Sequence, residues 1–202
     1  DSDISLNLTA DFTGSSINDM NGQIRLDSLF MDAPDNKGYF LENLTLTAGQ
    51  VAGEKEIDIQ SPFMTGIVRG NYSYQTIPIS VLHILQRYIP SLLTLKTPKR
   101  VPDNNFKFDL QIRDTKLLEK MLFVPLEVHI PASLKGYVDD RNGLLRLEGS
   151  FPSLTYNGTL YESATLLCEN PSEHFNCLLR GSMLMNSGAM LNFSIDAEAE
   201  QD

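Results

Sequence analysis

Alternation of apolar and polar residues runs through most of this 202-residue chain and favours strands with a single apolar face. In the first such stretch, apolar residues at positions 4, 6, 8, 10 and 12 alternate with Ser, Asn, Thr and Asp. Similar stretches begin near residues 24, 44, 57, 106, 126, 145 and 191. Because the strands of a buried parallel sheet are apolar on both faces, the pattern predicts an antiparallel sheet with one solvated face.

Short turn sequences separate these stretches. The dipeptides Asn21-Gly22, Asn142-Gly143 and Asn157-Gly158 are typical of tight primed turns, since both central residues of such turns need a positive φ. Ala52-Gly53 marks another reversal of the chain. Five acidic residues in such turns or on polar strand faces are predicted to be solvated: Asp139, Asp140, Glu54, Glu56 and Asp58.

Two segments carry helical spacing instead. A helix is predicted over about 78–93, where Pro78 lies in the first turn and its missing N–H costs nothing. The apolar stripe of this helix consists of Leu82, Leu85, Ile89 and Leu92. A second short helix is predicted over about 114–122, with Asp114 as its N-cap. The first helix is expected to be a lid packed on the sheet, or alternatively a gate.

The predicted fold class is therefore mostly β, with an antiparallel curved or stacked sheet, one apolar concave face and two short helices. A closed β-sandwich is the alternative. Alternation does not distinguish the two, because Leu, Ile, Phe and Val on one face serve equally as a core or as the lining of an open groove.

A sequence repeat indicates how the sheet is organised. DMNGQIRLDS at 19–28 recurs as DRNGLLRLEG at 140–149, and FLENLTL at 40–46 corresponds to LYESATL at 160–166. We therefore predict that 1–202 is a single β-rich segment of a longer protein. It consists of two related β units, about 4–75 and 126–197, and a helical insert, about 76–123. Such repeating units bury their apolar faces only when they stack on neighbours.

The two cysteines, Cys168 and Cys177, flank a predicted hairpin tip. Pairing Ser172 with Glu173 at the tip places the cysteines opposite each other, close enough for a disulfide. A disulfide would suit an oxidising compartment, whereas two reduced thiols would act as small apolar strand residues. Both interpretations remain open at this stage.

Composition and motifs argue against several functional classes. The formal net charge of −10 disfavours nucleic acid as a partner, because nucleic-acid-binding proteins neutralise phosphates with clustered Lys and Arg. The three histidines have no Cys, Asp or Glu at metal-ligand spacing, and the phosphate-binding and nucleophile motifs are missing. No run reaches the ~18 apolar residues of a membrane-spanning helix. We expect no enzymatic activity, no metal and no cofactor.

The order of these elements resembles the TamB family, the translocation and assembly module proteins of the bacterial envelope, in the form found in Bacteroidota. The resemblance covers nearly the whole chain. It is carried by ADFTGSSINDMNGQIRLDSLFM (10–31), YFLENLTLTA (39–48), EIDIQSPFMTGIVRGNYSY (56–74), RYIPSLL (87–93), NNFKFDLQIRDTKLLEKML (104–122) and VPLEVHIPASLKGYVDDRNGLLRLEGSFPSLTYNG (124–158).

The resemblance implies a periplasmic segment of a protein that is anchored in the inner membrane of a Gram-negative bacterium and acts in outer-membrane biogenesis. It implies phospholipid acyl chains as the ligand of an apolar groove, and a BamA-like outer-membrane barrel that binds other parts of the full chain. We expect the groove to be lined by Leu6, Leu8, Leu26, Leu46, Phe108, Leu110, Val128, Leu147, Leu166 and Phe193. Alternatives are a scaffold that pairs its sheet edges with unfolded outer-membrane proteins, and a structural spacer or adhesin module.

Overall fold

The computed structural model describes residues 4–31, 39–77, 79–80, 84, 103–113, 115, 125–171 and 174–200. Apart from a 3-10 helix at Ile17–Asp19 and the helical residues Ile77, Ile79, Ser80 and Ile84, regular structure in these ranges is β. The strands are β1 (Ile4–Thr13), β2 (Asn21–Met31), β3 (Tyr39–Val51), β4 (Glu54–Gln60), β5 (Met64–Asn71), β6 (Asn105–Ile112), β7 (Leu126–Ile130), β8 (Ala132–Asp139), β9 (Leu144–Tyr156), β10 (Thr159–Glu169), β11 (His174–Leu184) and β12 (Met190–Glu200).

Most of the predicted helical insert lies outside the described residues. The residues outside the description include the four residues of the lid stripe, Leu82, Leu85, Ile89 and Leu92, and all of the second helix except Thr115. The same insert also contains β6, which pairs with β5 on one side and β8 on the other. The sheet is therefore continuous between the two predicted β units.

All twelve strands belong to one antiparallel sheet, in the order β1-β2-β3-β4-β5-β6-β8-β9-β10-β11-β12, and β7 pairs with β9. Among the described strands, β1 pairs only with β2 and β12 only with β11, so the sheet is open at both ends. The prediction of a mostly β, curved, antiparallel sheet is confirmed. The alternative of a closed β-sandwich is wrong for the described residues, because they form one sheet rather than two.

The predicted turns have different outcomes. Asn157-Gly158 (φ 49° and 77°) forms a hairpin turn with two positive φ angles, as expected. Ala52-Gly53 (φ 53° and 85°) forms the predicted reversal of the chain, and it too has two positive φ angles. The turn predicted at Asn21-Gly22 is wrong, since both residues belong to β2, where Gly22 pairs with Phe12. The chain reverses earlier, through the 3-10 helix. Gly22 is instead required for close packing, because a Cβ there would clash with the backbone of β1.

The two copies of the sequence repeat share a backbone irregularity but not a register. Asn43 of β3 and Ser163 of β10 occupy equivalent repeat positions, and both have a positive φ, 57° and 51°. In the first copy Leu26 pairs with Leu44, whereas its equivalent Leu147 pairs with Cys168 rather than with Ala164, the equivalent of Leu44. The second hairpin is thus shifted by four residues. Because side chains alternate with period two, an even shift keeps the apolar residues on the same face.

One end of the apolar face forms the core. Its cluster of buried residues comes from β5, β6, β8, β9, β10 and β11 together with Tyr72 and the helical residue Ile84, and comprises Val68, Tyr72, Ile84, Phe106, Val138, Leu145, Cys168 and Phe175. The hydroxyl of Tyr72 donates to the carbonyl of Val68 at 3.2 Å. Burial raises the pKa of Tyr72, and the neighbouring Tyr74 and Glu56 raise it further. The segment after β5 therefore covers this end of the sheet.

A buried polar cluster fastens that segment to the sheet. Asp140 is 2% exposed, so the prediction that it is solvated is wrong. Its Oδ2 accepts from Ser80 Oγ at 2.6 Å and from the backbone N–H of Asn104 at 3.1 Å. The Asn104 side chain in turn donates to Ser80 Oγ at 2.6 Å and to Thr76 Oγ1 at 2.9 Å. These hydrogen bonds offset the cost of burying the polar groups, but Oδ1 of Asp140 is buried without a hydrogen-bond partner among the described residues.

Candidate functional site

The strand registers place eight of the ten predicted groove residues on one face of the sheet, and Leu6 and Val128 lie beyond irregularities of the alternation. Leu8 lies opposite Leu26, and Phe108 lies opposite Val68 on one side and Gly136 on the other. The pairings connect five further positions in the same way: Leu46, Leu110, Leu147, Leu166 and Phe193. We call this side the apolar face.

The ten residues do not line a single cavity. Leu26 and Val128 are buried, and Phe108, Leu147 and Leu166 pack against the core cluster. Leu6 and Leu8 on edge strand β1 are 57% and 49% exposed. Leu46 borders a small apolar cavity of about 70 Å³ near Tyr74, and Leu110 is partly buried. Most of the predicted groove residues therefore contribute to packing or to an exposed edge.

A large apolar cavity lies at the opposite end of the apolar face from the core cluster. It is an open groove of about 530 Å³, within the size range of small-molecule sites. We call it the β7–β12 groove and define it by Leu126, Phe151, Leu154, Tyr156, Tyr161, Ala164, Leu179, Met183, Phe193 and Ile195. Of the ten residues predicted from the sequence, Phe193 alone belongs to it.

Two breaks in the alternation build this groove. On β9, Phe151 and Leu154 both line it although they are three residues apart, and on β10 the same holds for Tyr161 and Ala164. Ser163, with its positive φ, lies between the latter two, and the register of β10 with β11 shifts at this point. Such bulges re-aim side chains, because one extra residue moves the alternation to the other face.

Gly181 on β11 makes room for the central aromatic pair of the groove. It lies opposite Phe193, and a Cβ on Gly181 would be 3.1 Å from Cζ of the Phe193 ring and 3.0 Å from Cα of Ala164. Phe193 packs edge-on against Tyr161, with ring centroids 5.9 Å apart and planes at 86°. This T-shaped arrangement is a favourable one for aromatic rings. A larger residue at 181 would displace the wall of the groove.

A ligand in this groove would be buried against apolar side chains but would form few hydrogen bonds. All ten lining residues are apolar or tyrosine, and the two tyrosine hydroxyls are its only side-chain hydrogen-bonding groups. Hydrocarbon that enters it gains ~0.8 kcal/mol for each CH₂ removed from water. The chemistry therefore favours an aliphatic ligand without selecting one chain over another.

The opposite face of the sheet is polar and carries paired charges. On β9, Glu148 accepts from Arg146 Nε at 2.7 Å and from Lys135 Nζ at 3.0 Å. These hydrogen bonds, that of Arg146 first, lower the pKa of Glu148. On β4, Glu56 accepts from Arg69 Nε of β5 at 2.6 Å. Glu56 and Glu148 on this face thus each receive a cation from the same or a neighbouring strand.

The structure also shows the contacts of both cysteines and of His129. Cys168 of β10 pairs with Cys177 of β11, and a disulfide joins them. His129 is exposed and lies 2.8 Å from Thr155 Oγ1, through Nε2. Within the described ranges, no three His, Cys, Asp or Glu side chains come together as a metal site. In the same ranges, no helix has the length and apolar character needed to cross a membrane.

The chain matched no protein-family model, no curated protein and no solved structure. The function proposed below is therefore based on the geometry of the apolar face and on the sequence resemblance.

Proposed function

We propose that the β7–β12 groove binds the acyl chains of phospholipids. The observation that carries this proposal is the composition of the lining: ten apolar or tyrosine side chains from five strands converge on one open groove of about 530 Å³. Large exposed apolar patches mark interaction sites, so an open apolar groove of this size favours a bound ligand. The binding is non-enzymatic and needs no cofactor.

In this proposal the chain is a TamB-like periplasmic segment of an envelope protein in a Gram-negative bacterium, and it helps lipid to pass between the two membranes. The sequence resemblance motivates that assignment, together with the inner-membrane anchor and the BamA-like partner, which would involve other parts of the full protein. The Cys168–Cys177 disulfide supports it, because the periplasm is oxidising. The open apolar face supports it too, since a closed core would leave no room for lipid.

The first test compares two substitutions of the same residue type. Met183 lines the groove, whereas Met185, just beyond β11, is 41% exposed and does not line it. Met183→Glu places a carboxylate against the ligand and is expected to lower phospholipid binding at least about tenfold, since an unpaired charge in an apolar site is strongly disfavoured. Met185→Glu should bind lipid like the unaltered chain. Native mass spectrometry and crosslinking of a photoreactive acyl phospholipid provide the measurement.

A second variant separates loss of the site from loss of the fold. Ile195 lines the groove but is 55% exposed, so Ile195→Glu should leave the protein folded. We expect its thermal unfolding to match that of Met185→Glu while its lipid crosslinking falls. If folded Met183→Glu and Ile195→Glu bind phospholipid like the unaltered chain, the groove is not the lipid site. Equal losses in all three variants would also contradict the proposal.

A further inference from the structure

The two hairpins that end beside the β7–β12 groove carry no charge at that end. The β9–β10 hairpin is uncharged from Gly149 to Tyr161, and the β11–β12 hairpin is uncharged from Gly181 to Ile195. The opposite end of the same strands is charged, with Asp139 and Arg141 before β9 and Glu169 at the end of β10. The charges of this part of the sheet are therefore separated from the groove along the strands.

The tip of the β11–β12 hairpin exposes large apolar side chains on both faces of the sheet. Met183 and Leu191 lie opposite each other on the apolar face, so the next pair, Leu184 and Met190, lies on the otherwise polar face. Leu184, Met185 and Met190 are 39%, 41% and 44% exposed. β11 has a strand on each side, so the exposure of Leu184 belongs to the tip and not to an open edge of the sheet.

These tips adjoin the groove. Met183 and Phe193 of the β11–β12 hairpin line it, and so does Tyr156, which is 45% exposed and directly precedes the β9–β10 turn. A tyrosine side chain, with an apolar ring and a polar hydroxyl, is favoured at the boundary between hydrocarbon and water. The groove therefore lies beside exposed side chains of the kinds that a lipid surface accommodates.

We propose that the two hairpin tips insert into the surface of a zwitterionic phospholipid bilayer. Tyr156, Leu184, Met185 and Met190 would leave water for the boundary of the acyl region, and the buried apolar area would stabilise the contact. Insertion removes no charged side chain from water, because the tips have none. The absence of cations at the tips and the net charge of −10 disfavour an anionic lipid surface.

A bilayer fits these tips better than a protein partner or a second copy of the chain. A protein that covered the tips would also cover the groove beside them, whereas a bilayer supplies acyl chains there. This choice between partners rests on the proposed function of the groove. Two copies of the chain would each carry a charge of −10, which disfavours their association.

The first experiment measures binding to phosphatidylcholine vesicles by flotation. Met185→Glu/Met190→Glu places two carboxylates at the β11–β12 tip. Val51→Glu/Ile67→Glu makes the same change in net charge on β3 and β5, at positions that are 41% and 40% exposed and do not line the groove. We expect the tip variant to bind vesicles at least about tenfold more weakly, and the control variant to change binding by less than about twofold. Thermal unfolding verifies that both variants are folded.

A single tryptophan reports insertion directly, because the chain contains no other. The fluorescence of Met190→Trp should shift to shorter wavelength on vesicles and should be quenched by phosphatidylcholine that is brominated in its acyl chains. Ile67→Trp, on β5, should show neither change. Vesicle binding with an unquenched Met190→Trp would overturn the proposal.

Short-chain phosphatidylcholine below its critical micelle concentration separates this contact from the groove. The tip variant should bind it like the unaltered chain, since neither Met185 nor Met190 lines the groove. If the unaltered chain binds this lipid but not vesicles, the membrane contact is overturned and the groove proposal stands. If it inserts into vesicles but does not bind the short-chain lipid, the reverse holds.

Three further results would overturn the membrane contact. The first is an equal loss of vesicle binding in the two double variants, which would show an effect of net charge alone. The second is tighter binding to phosphatidylglycerol vesicles than to phosphatidylcholine vesicles. The third is self-association of the unaltered chain in sedimentation experiments that Met185→Glu/Met190→Glu abolishes, which would make a second copy the partner of the tips.

Discussion

At the scale of single residues, Asp140 is buried although its position in a turn predicted a solvated side chain. Its neighbour Asp139 is partly exposed and accepts from the side chain of Asn142, whereas Asp140 is buried and accepts from Ser80 and Asn104. These two donors come from segments 60 and 36 residues away. The carboxylate therefore connects the segment after β5 with the loop before β6 and the loop before β9.

We expect Asp140→Ala to lower the free energy of unfolding by about 2–4 kcal/mol. The physical reason is that Ser80 Oγ and the backbone N–H of Asn104 would lose a charged acceptor in a buried site. Asp11→Ala, at an exposed position on β1, should change it by less than about 0.5 kcal/mol. Urea unfolding followed by circular dichroism measures both. A loss below about 1 kcal/mol for Asp140→Ala would show that the cluster does not hold the segment in place.

At the scale of elements, hairpin turns and bulges decide where each strand points. The β3–β4 and β9–β10 hairpins use the same kind of turn, but the first places Ala52 where the second places Asn157. A positive φ costs an alanine about 1–2 kcal/mol, whereas asparagine tolerates it better and glycine adopts it freely. The β3–β4 turn thus stores strain that its sequence could relieve.

Ala52→Gly is therefore expected to stabilise the protein by about 0.5–1 kcal/mol, after the larger entropy of a glycine in the unfolded chain is subtracted. Gly53→Ala should have the opposite effect, a loss of about 1 kcal/mol, and that loss is purely conformational because no atom lies within 4 Å of the added Cβ. Thermal unfolding of the two single variants is the measurement. A destabilised Ala52→Gly protein would contradict the turn geometry described above.

At the scale of the whole molecule, burial is distributed unevenly over one continuous sheet. The core cluster covers one end of the apolar face between β5 and β11, while the β7–β12 groove at the other end stays open. Every described side chain of β1 is exposed, including Leu6, Leu8 and Phe12. Protection of the backbone is therefore expected to vary along the sheet, because local opening costs least where few side chains are buried.

We predict that backbone amides of β6 and β8 exchange with deuterium at least about a hundredfold more slowly than those of β1. β6 and β8 have a strand on each side and contribute Phe106 and Val138 to the core, whereas β1 is an edge. Hydrogen exchange followed by mass spectrometry measures the rates peptide by peptide. Equal protection of β1 and β6 would mean that an additional element covers the β1 edge.

Much of the architecture could be predicted from the sequence, while little of the groove could. Eight of the strands were visible as alternating stretches, and the Asn157-Gly158 turn followed from local preference. The groove was missed because Phe151 and Leu154, or Tyr161 and Ala164, lie three residues apart, a spacing that alternation assigns to opposite faces. Two sequence features could have indicated an irregularity there. One is Pro152 within β9, and the other is that Ser163 occupies the repeat position of Asn43.

The sequence by itself determined the period of two, the polarity of each face and the antiparallel class, because these depend on side chains a few residues apart. Only the tertiary structure decided register, bulges, the position of the core and the burial of Asp140, because these depend on groups brought together over tens of residues. The repeat illustrates the difference. Its two copies have similar sequences, but the register of β9 with β10 differs by four residues from that of β2 with β3. Because this difference is even, the apolar residues stay on the same face.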